Sequence, residues 1–206
     1  CKISISRIRT GAMRCRVCKE SRMKLWNAVR HFRTITKHKQ MVMENCFKVG
    51  LYKQGLLHDL SKYSWEEFRI GVKYYQGDRS PNAAEKEEKG YSVAWLHHKG
   101  RNKHHFEYWI DFAPDKSAGL IGNEMPLKYL VEMVMDRIAA SKVYKGDAYT
   151  DACPWEYYAR GQDYAVMHKK TRAQLEKLLL MLKDEGEEKT FAYIRKLLRH
   201  RSRRQR

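Results

Sequence analysis

The sequence predicts an all-α fold, a bundle of helices. Apolar residues recur at helical spacing from Trp26 onward, and Ile35, Val42 and Val49 share one helical face. No segment alternates apolar and polar residues over the length of a strand. With 206 residues, such a chain is long enough to bury one sizeable core.

The helix boundaries are predicted from capping and breaking residues. Gly50 and Gly186 should separate helices, and Pro126 suits the first turn of one. Ser64 followed by Glu67 is a capping box, the signal of a helix that starts at residue 65. The expected helices cover about residues 26–49, 51–60, 65–76, 83–98, 103–109 (capped by Asn102), 126–145, 171–183 and 187–199, with a loop at 111–125.

The helix expected at residues 126–145 is apolar nearly all round, so it should be central and buried. It contains Asp136. A buried carboxylate without a partner costs free energy, so Asp136 should be hydrogen-bonded, ion-paired or bound to a metal.

The formal net charge of +18 is concentrated at the two ends. Residues 1–39 hold 12 Lys/Arg against one acidic residue, and residues 195–206 hold seven against none, so the remainder is balanced. Two interpretations stay open. The ends are either solvated tails or electrostatic contacts to polyphosphate or nucleic acid.

Helical periodicity begins near Met23, which sets the expected domain boundary. We expect residues 23–200 to form a single helical domain, residues 1–22 a flexible basic extension and residues 201–206 a basic tail. The five scattered cysteines are not expected to form a disulfide framework, and no apolar run is long enough for a membrane span or a signal peptide. A cytoplasmic protein with no membrane contact is therefore expected.

The segment "GLLHDLSK" places an imidazole beside a carboxylate, His58 and Asp59, directly after two leucines. They are either surface residues at a helix end or two ligands of one ion. Lys62 lies on their face if the helix continues. There it can neutralise a phosphate oxygen or hold an attacking water, unless it is simply a solvated lysine.

Seven of the nine histidines lie between residues 31 and 105. Together with Asp59 and Asp136 they form a set of imidazole and carboxylate groups, and no cysteine lies close to them in sequence. Such groups suit Mn, Fe, Co, Ni or Zn. The sequence therefore predicts a site for a divalent transition metal and leaves its identity open.

The order of these residues along residues 25–145 resembles the HD-domain superfamily of metal-dependent phosphohydrolases, which are helical bundles. The resemblance implies one metal held by His38, His58, Asp59 and Asp136. The segments "FRTITKHK", "HDLSKYSWEEF" and "HHKGRNKHHFEYW" look more closely like an uncharacterised helical family of bacteria and phages.

Two substitutes remain for this ligand set. Asp147 replaces Asp136 if the helix register differs, and His31 is a weaker alternative to His38.

Two histidine pairs, 97–98 and 104–105, flank a short turn. In some HD-domain proteins, histidines in this interval bind a second metal, and the aspartate of the His-Asp pair bridges the two ions. His98 and either His104 or His105 match that role, while His97 is expected to face solvent. The alternatives are contact with a substrate phosphate, protonation of a leaving group, or a plain surface position.

The resemblance implies a phosphohydrolase that acts on a nucleotide or another small phosphate ester through a metal-activated water. Its candidate catalytic residues are Lys62, His98, His104 and His105. Two rivals stay open. One is a di-iron oxygenase on the same scaffold, and the other is a non-enzymatic module that binds nucleic acid through its basic ends.

Overall fold

The computed structural model describes the backbone of residues 9–204 and the side chains of residues 23–201, except those of residues 24 and 116. This part of the chain is all-α apart from one short hairpin, which confirms the predicted fold class. Its helices are α1 (Arg9–Val49), α2 (Tyr52–Leu57), α3 (Trp65–Lys73), α4 (Pro81–Lys89), α5 (Val93–Arg101), α6 (Leu127–Lys145), α7 (Cys153–Ala159) and α8 (Lys169–Arg204), and its strands are β1 (Ile110–Phe112) and β2 (Leu120–Gly122).

Helix α6 lies at the centre and contacts α1, α2, α7 and α8. Leu130 and Ile138 of α6 share one core with Leu179 and Ile194 of α8. Full burial of each such side chain stabilises the fold by roughly 1.5–3 kcal/mol. The prediction of a central buried helix at residues 126–145 is confirmed.

One face of α1 contributes residues to the core and also carries two buried histidines. Val42, Cys46 and Val49 pack in the main core, and His31 and His38 lie buried further back along the same face. Gly50 ends the helix with a φ of 87°, as its position predicted.

Helix α1 begins at Arg9, well before Met23, where periodicity led us to expect its start. The side chains of residues 1–22 lie outside the described residues, as do those of residues 202–206. The flexible extension and the basic tail therefore stay predictions. Within the described residues, no helix combines the length and apolarity that a membrane crossing requires.

The expected helix over residues 51–60 is shorter than predicted. Helix α2 ends at Leu57, His58 is extended, and Asp59 adopts a left-handed conformation with a φ of 52°. A 3-10 turn then runs over Leu60–Tyr63. The helix therefore does not continue to Lys62, so the condition for Lys62 to share a helical face with His58 and Asp59 is not met. Aspartate is one of the few non-glycine residues that tolerates this backbone.

Ser64 caps α3 as predicted, because its Oγ accepts a hydrogen bond from the Glu67 amide at 3.5 Å. The single helix expected over residues 83–98 is instead two, α4 and α5, separated at Gly90, whose φ is 81°. Ser92 caps α5 by accepting from the Trp95 amide.

Downstream of α5, Asn102 ends that helix rather than starting another. The expected helix through residue 109 is only a 3-10 turn at Phe106–Trp109. Strands β1 and β2 pair antiparallel across the expected loop, with Ile110 opposite Gly122. Further on, Gly186 kinks α8 where the sequence predicted a break, and α7 was not predicted.

Gly71 of α3 packs directly against His31, which predicts a large effect of a single methyl group. A Cβ at Gly71 would lie 2.0 Å from His31 Nε2. The buried ring cannot easily move, because Phe68 and Tyr75 contact it at centroid distances of 5.3 and 5.9 Å. We expect Gly71→Ala to lower the free energy of unfolding by about 1–3 kcal/mol in urea denaturation, although alanine favours helix.

The control is Gly100→Ala on α5, where an added Cβ meets no atom within 4 Å. It should be neutral or stabilising. Equal stability of the two variants would contradict the packing described for Gly71.

Candidate metal centre

The buried carboxylate of Asp59 is the meeting point of five separate segments of the chain. Asp59 itself is 1% exposed and follows α2. Around it lie His38 from α1, His58 from the same turn, His98 from α5, His104 and His105 from the segment after α5, and Asp136 from α6.

Lys39 on α1 holds this turn in place. Its Nζ donates hydrogen bonds to the carbonyl oxygens of Leu56, at 2.7 Å, and His58, at 3.2 Å. These bonds tie the end of α2 to α1 and so fix the direction of the His58 and Asp59 side chains.

The first cluster consists of His38, His58, Asp59 and Asp136. Asp136 Oδ1 lies 2.9 Å from His38 Nε2 and 3.5 Å from His58 Nε2, and His58 Nε2 lies 3.2 Å from Asp59 Oδ2. One ligand atom from each residue lies within 4.8 Å of all the others. That spacing fits a single ion with bonds of about 2.0–2.2 Å.

The second cluster consists of Asp59, His98, His104 and His105. Asp59 Oδ1 lies 3.2 Å from His98 Nε2 and 3.4 Å from His104 Nε2. Oδ2 of the same carboxylate faces the first cluster. The structure thus places both His104 and His105 in the cluster, where the sequence left a choice between them, and Asp59 belongs to both clusters.

Unpartnered buried atoms provide the test of whether a metal fits. The Nε2 atoms of His38, His58, His104 and His105 and Oδ1 of Asp59 are buried without a hydrogen-bond partner among the described residues. Oδ2 of Asp59 has the ion pair with Lys62 and no other hydrogen-bond partner in this part of the chain. A buried polar atom left unsatisfied costs about 1–3 kcal/mol. Imidazole nitrogens and carboxylate oxygens are the donor types that divalent transition metals take. The two clusters can therefore hold metal ions.

Two glutamates orient the imidazoles by contacting Nδ1, the ring nitrogen that faces away from the clusters. Glu132 Oε1 lies 3.0 Å from His58 Nδ1 and 3.2 Å from His104 Nδ1. Glu67 Oε2 lies 2.8 Å from His98 Nδ1. A carboxylate on Nδ1 fixes the tautomer that leaves the Nε2 lone pair free for an ion and makes the ring a stronger ligand.

Sequence reasoning missed both glutamates as site residues. Glu132 lies four residues before Asp136 and so shares its helix face, a signal that was available. Glu67 was assigned only to the capping box. Its side chain turns away from that motif to reach His97 and His98.

Lys62 lies beside the centre, although not through a continued helix. Its Nζ is 2.5 Å from Asp59 Oδ2. Burial alone lowers the pKa of Lys62, but the carboxylates of Asp59 and Asp136 outweigh burial and raise that pKa above its ordinary value. The ammonium group therefore stays charged next to the carboxylate that both clusters share.

The pKa shifts of Asp59 and His105 favour the forms that bind an ion. Burial raises the pKa of Asp59, but His58, Lys62 and His98 outweigh burial and hold that pKa well below its usual range. Burial lowers the pKa of His105 well below that of a free imidazole, and His104 and His98 lower it further. An ionised carboxylate and a neutral ring are the forms that bind an ion. Burial lowers the pKa values of His58 and His98, but Asp59 and neighbouring carboxylates outweigh burial and raise both, so an ion that binds these rings displaces protons.

Three polar residues considered from the sequence beside the ligand set lie outside both clusters. His31 belongs to neither cluster, and burial, with a smaller contribution from Lys62, lowers its pKa to about 4. Asp147 is exposed in the turn after α6. The expectation that His97 faces solvent is wrong, because its Nδ1 lies 2.7 Å from Glu67 Oε1 and its side chain is only 15% exposed.

A cavity of about 760 Å³ opens beside both clusters. His38, Lys62, His98, His105 and Asp136 line one part of it. Its other walls carry aromatic and basic side chains, among them Tyr75, Trp95, Tyr157, Arg137 and Arg160. The volume is in the range of small-molecule sites.

Comparison with known proteins identifies a family and nothing further. A family model described as a family of unknown function (DUF5662) matches residues 27–181, which include every residue of both clusters. The match covers 155 of the 206 residues, so the chain belongs to that family. No curated protein and no solved structure matches the chain.

Proposed function

We propose that this member of the DUF5662 family is an HD-type phosphohydrolase that cleaves a nucleotide or another small phosphate ester at a centre of two divalent metals. The observation that carries the proposal is the Asp59 carboxylate, whose two oxygens face two clusters of unpartnered imidazole nitrogens. The adjoining cavity gives a small substrate access to both clusters.

The two clusters divide the ligand roles. His38, His58, Asp59 and Asp136 hold the first ion, and Asp59, His98, His104 and His105 hold the second. Mn, Fe, Co, Ni or Zn fits this donor set. When bound, such ions would supply a water of lowered pKa as the nucleophile and would neutralise charge on the phosphate.

Lys62 binds the substrate in this proposal. Its charged Nζ lies against Asp59 and its side chain lines the cavity, so it can contact a phosphate oxygen as charge builds up there. His105 is a poor candidate for the general acid, because the lowered pKa of its ring keeps the imidazole neutral. A neutral ring favours the role of metal ligand over that of proton donor.

A di-iron oxygenase is the second candidate. The observation in its favour is the second cluster, which sets three imidazoles around a shared carboxylate, a donor set that iron also accepts. Nucleic-acid binding through the basic ends gains no support from the described residues, because most side chains of those ends lie outside them.

The deciding experiment measures metal content and turnover on the same sample. Protein purified without a His tag should hold about two ions per chain. It should hydrolyse at least one member of a panel of nucleotides and phosphate esters when Mn, Co, Ni, Zn or Mg is supplied. A fully metallated protein that leaves the whole panel intact contradicts the hydrolase. Consumption of dioxygen by the iron-loaded protein together with an organic substrate supports the oxygenase instead.

His98 and His97 form a matched pair of neighbours for mutation. His98→Ala removes the Nε2 atom that lies 3.2 Å from Asp59 Oδ1 and should reduce turnover by about 100-fold or more. His97→Ala should have a smaller effect, because His97 touches only Glu67 behind the ring of His98. The measurement is kcat with the best substrate of the panel. Equal losses in the two variants would contradict a direct role for His98.

A further inference from the structure

Arg137 lies next to Asp136 on α6, so its side chain leaves the helix about 100° away from that of the cluster residue. It is partly buried and lines the same cavity as Lys62 and Asp136. A cation therefore lies on the wall of the cavity, outside both metal clusters.

Among the residues that the structure describes, the guanidinium group of Arg137 has no anionic partner. Its Nε is buried without a hydrogen bond, and no carboxylate of the described residues forms an ion pair with it. Other arginines of the cavity wall already have hydrogen-bond partners within the protein. Arg79 makes two hydrogen bonds to Glu87, at 2.6 and 2.8 Å, and Arg160 donates from Nε to the carbonyl oxygen of Glu156.

An aromatic ring holds Arg137 in position without using its N–H groups. The guanidinium carbon lies 5.6 Å from the ring centroid of Tyr158. Tyr158 is itself fixed, because its hydroxyl donates to Glu176 at 2.8 Å and accepts from Arg172 at 3.3 Å. A guanidinium placed over an aromatic ring still has its N–H groups free. These groups can form paired hydrogen bonds to the oxygens of a phosphate or carboxylate.

We propose that Arg137 binds a second anionic group of the substrate, so that the substrate class is a phosphate ester that carries a further phosphate or carboxylate. The inference rests on the proposed function, in which the first phosphate lies at the Asp59 centre. An unsatisfied buried donor in a native protein calls for an explanation, and an oxyanion in the cavity supplies the missing partner of Nε.

Binding of ligands that cannot be hydrolysed tests this role apart from catalysis. The probes are methylphosphonate, with one anionic group, and alkane-1,ω-bisphosphonates with linkers of two to five carbons. Isothermal titration calorimetry on the metal-loaded protein should find at least one bisphosphonate that binds about tenfold or more tightly than methylphosphonate, as expected for a hydrogen-bonded charge pair. Arg137→Gln should abolish that advantage, and affinity for methylphosphonate should stay the same.

Two further variants complete the design. Arg137→Lys keeps the charge without the paired N–H groups and should retain part of the advantage. Arg79→Gln removes the same charge from the same cavity wall, where the guanidinium is already bound to Glu87, and should change nothing. Melting temperature and metal content verify that each variant is folded and loaded.

Three results would overturn the inference. They are an advantage that persists in Arg137→Gln, an advantage lost equally in Arg79→Gln, and a wild-type protein that binds no bisphosphonate better than methylphosphonate. Each of these leaves the proposed function standing if phosphate esters are turned over. Absence of turnover with an intact Arg137-dependent advantage would refute the hydrolase and keep the anion site.

Discussion

Replacing Asp59 by asparagine should empty both clusters. The amide keeps one carbonyl oxygen and loses the negative charge, so it cannot serve the two sides that Oδ1 and Oδ2 face now. Asparagine also tolerates the left-handed backbone of this residue, so the turn itself should survive. We expect bound metal to fall from about two ions to less than one per chain, and turnover to fall by at least about 100-fold.

Metal analysis by mass spectrometry and phosphate-ester turnover measure these effects, and a third readout does not depend on activity. A ligand that binds only the folded state raises its melting temperature. Chelation should therefore lower the melting temperature of the wild type and leave that of Asp59→Asn unchanged. The matched control is Asp147→Asn, the same chemical change at an exposed residue near the end of α6. Full metal content in Asp59→Asn would show that its carboxylate is not a shared ligand.

The second large effect is expected at Glu132, which ligates no ion in the proposed centre. Its Oε1 contacts the Nδ1 atoms of His58 and His104, one histidine from each cluster. Glu132→Gln removes the charge that makes both rings better ligands. Metal affinity should therefore weaken by about 10- to 100-fold at both sites, which competition with a chelator of known affinity measures.

Glu67→Gln is the matched comparison for Glu132→Gln. Glu67 contacts His97 and His98 but no ligand of the first cluster. Its replacement should weaken one of the two ions and spare the other. If Glu132→Gln and Glu67→Gln release the same single ion, the assignment of Glu132 to both clusters is wrong.

The sequence predicted the parts of the fold that depend on local pattern. Periodicity placed α1 and α6, and Gly50, Ser64 and Gly186 marked breaks and caps where the structure has them. These signals depend only on residues that are close together along the chain, so they can be recognised in a single sequence. The order of histidines and aspartates also predicted the histidines and aspartates that the structure gathers around Asp59, with a choice left open between His104 and His105.

The remaining features depend on contacts between distant segments. Nothing local to Glu67 shows that its side chain leaves the capping motif for α5, about thirty residues further along the chain. The left-handed turn at Asp59 is likewise fixed by distant segments, because Lys39 on α1 binds the carbonyl oxygen of His58, and His98 and His104 lie against the Asp59 carboxylate. The helix that local pattern favours therefore stops at Leu57, three residues early.

Asp59 is the one non-glycine residue with a positive φ among the described residues. An L-residue held in that region costs of order 1–3 kcal/mol, and glycine relieves the cost. In the metal-free protein, glycine at residue 59 would relieve this backbone cost but would leave the partly buried ammonium group of Lys62 without its carboxylate. A redesign guided by backbone conformation alone would select glycine and delete the carboxylate around which the site is built, so such a redesign should hold residue 59 fixed.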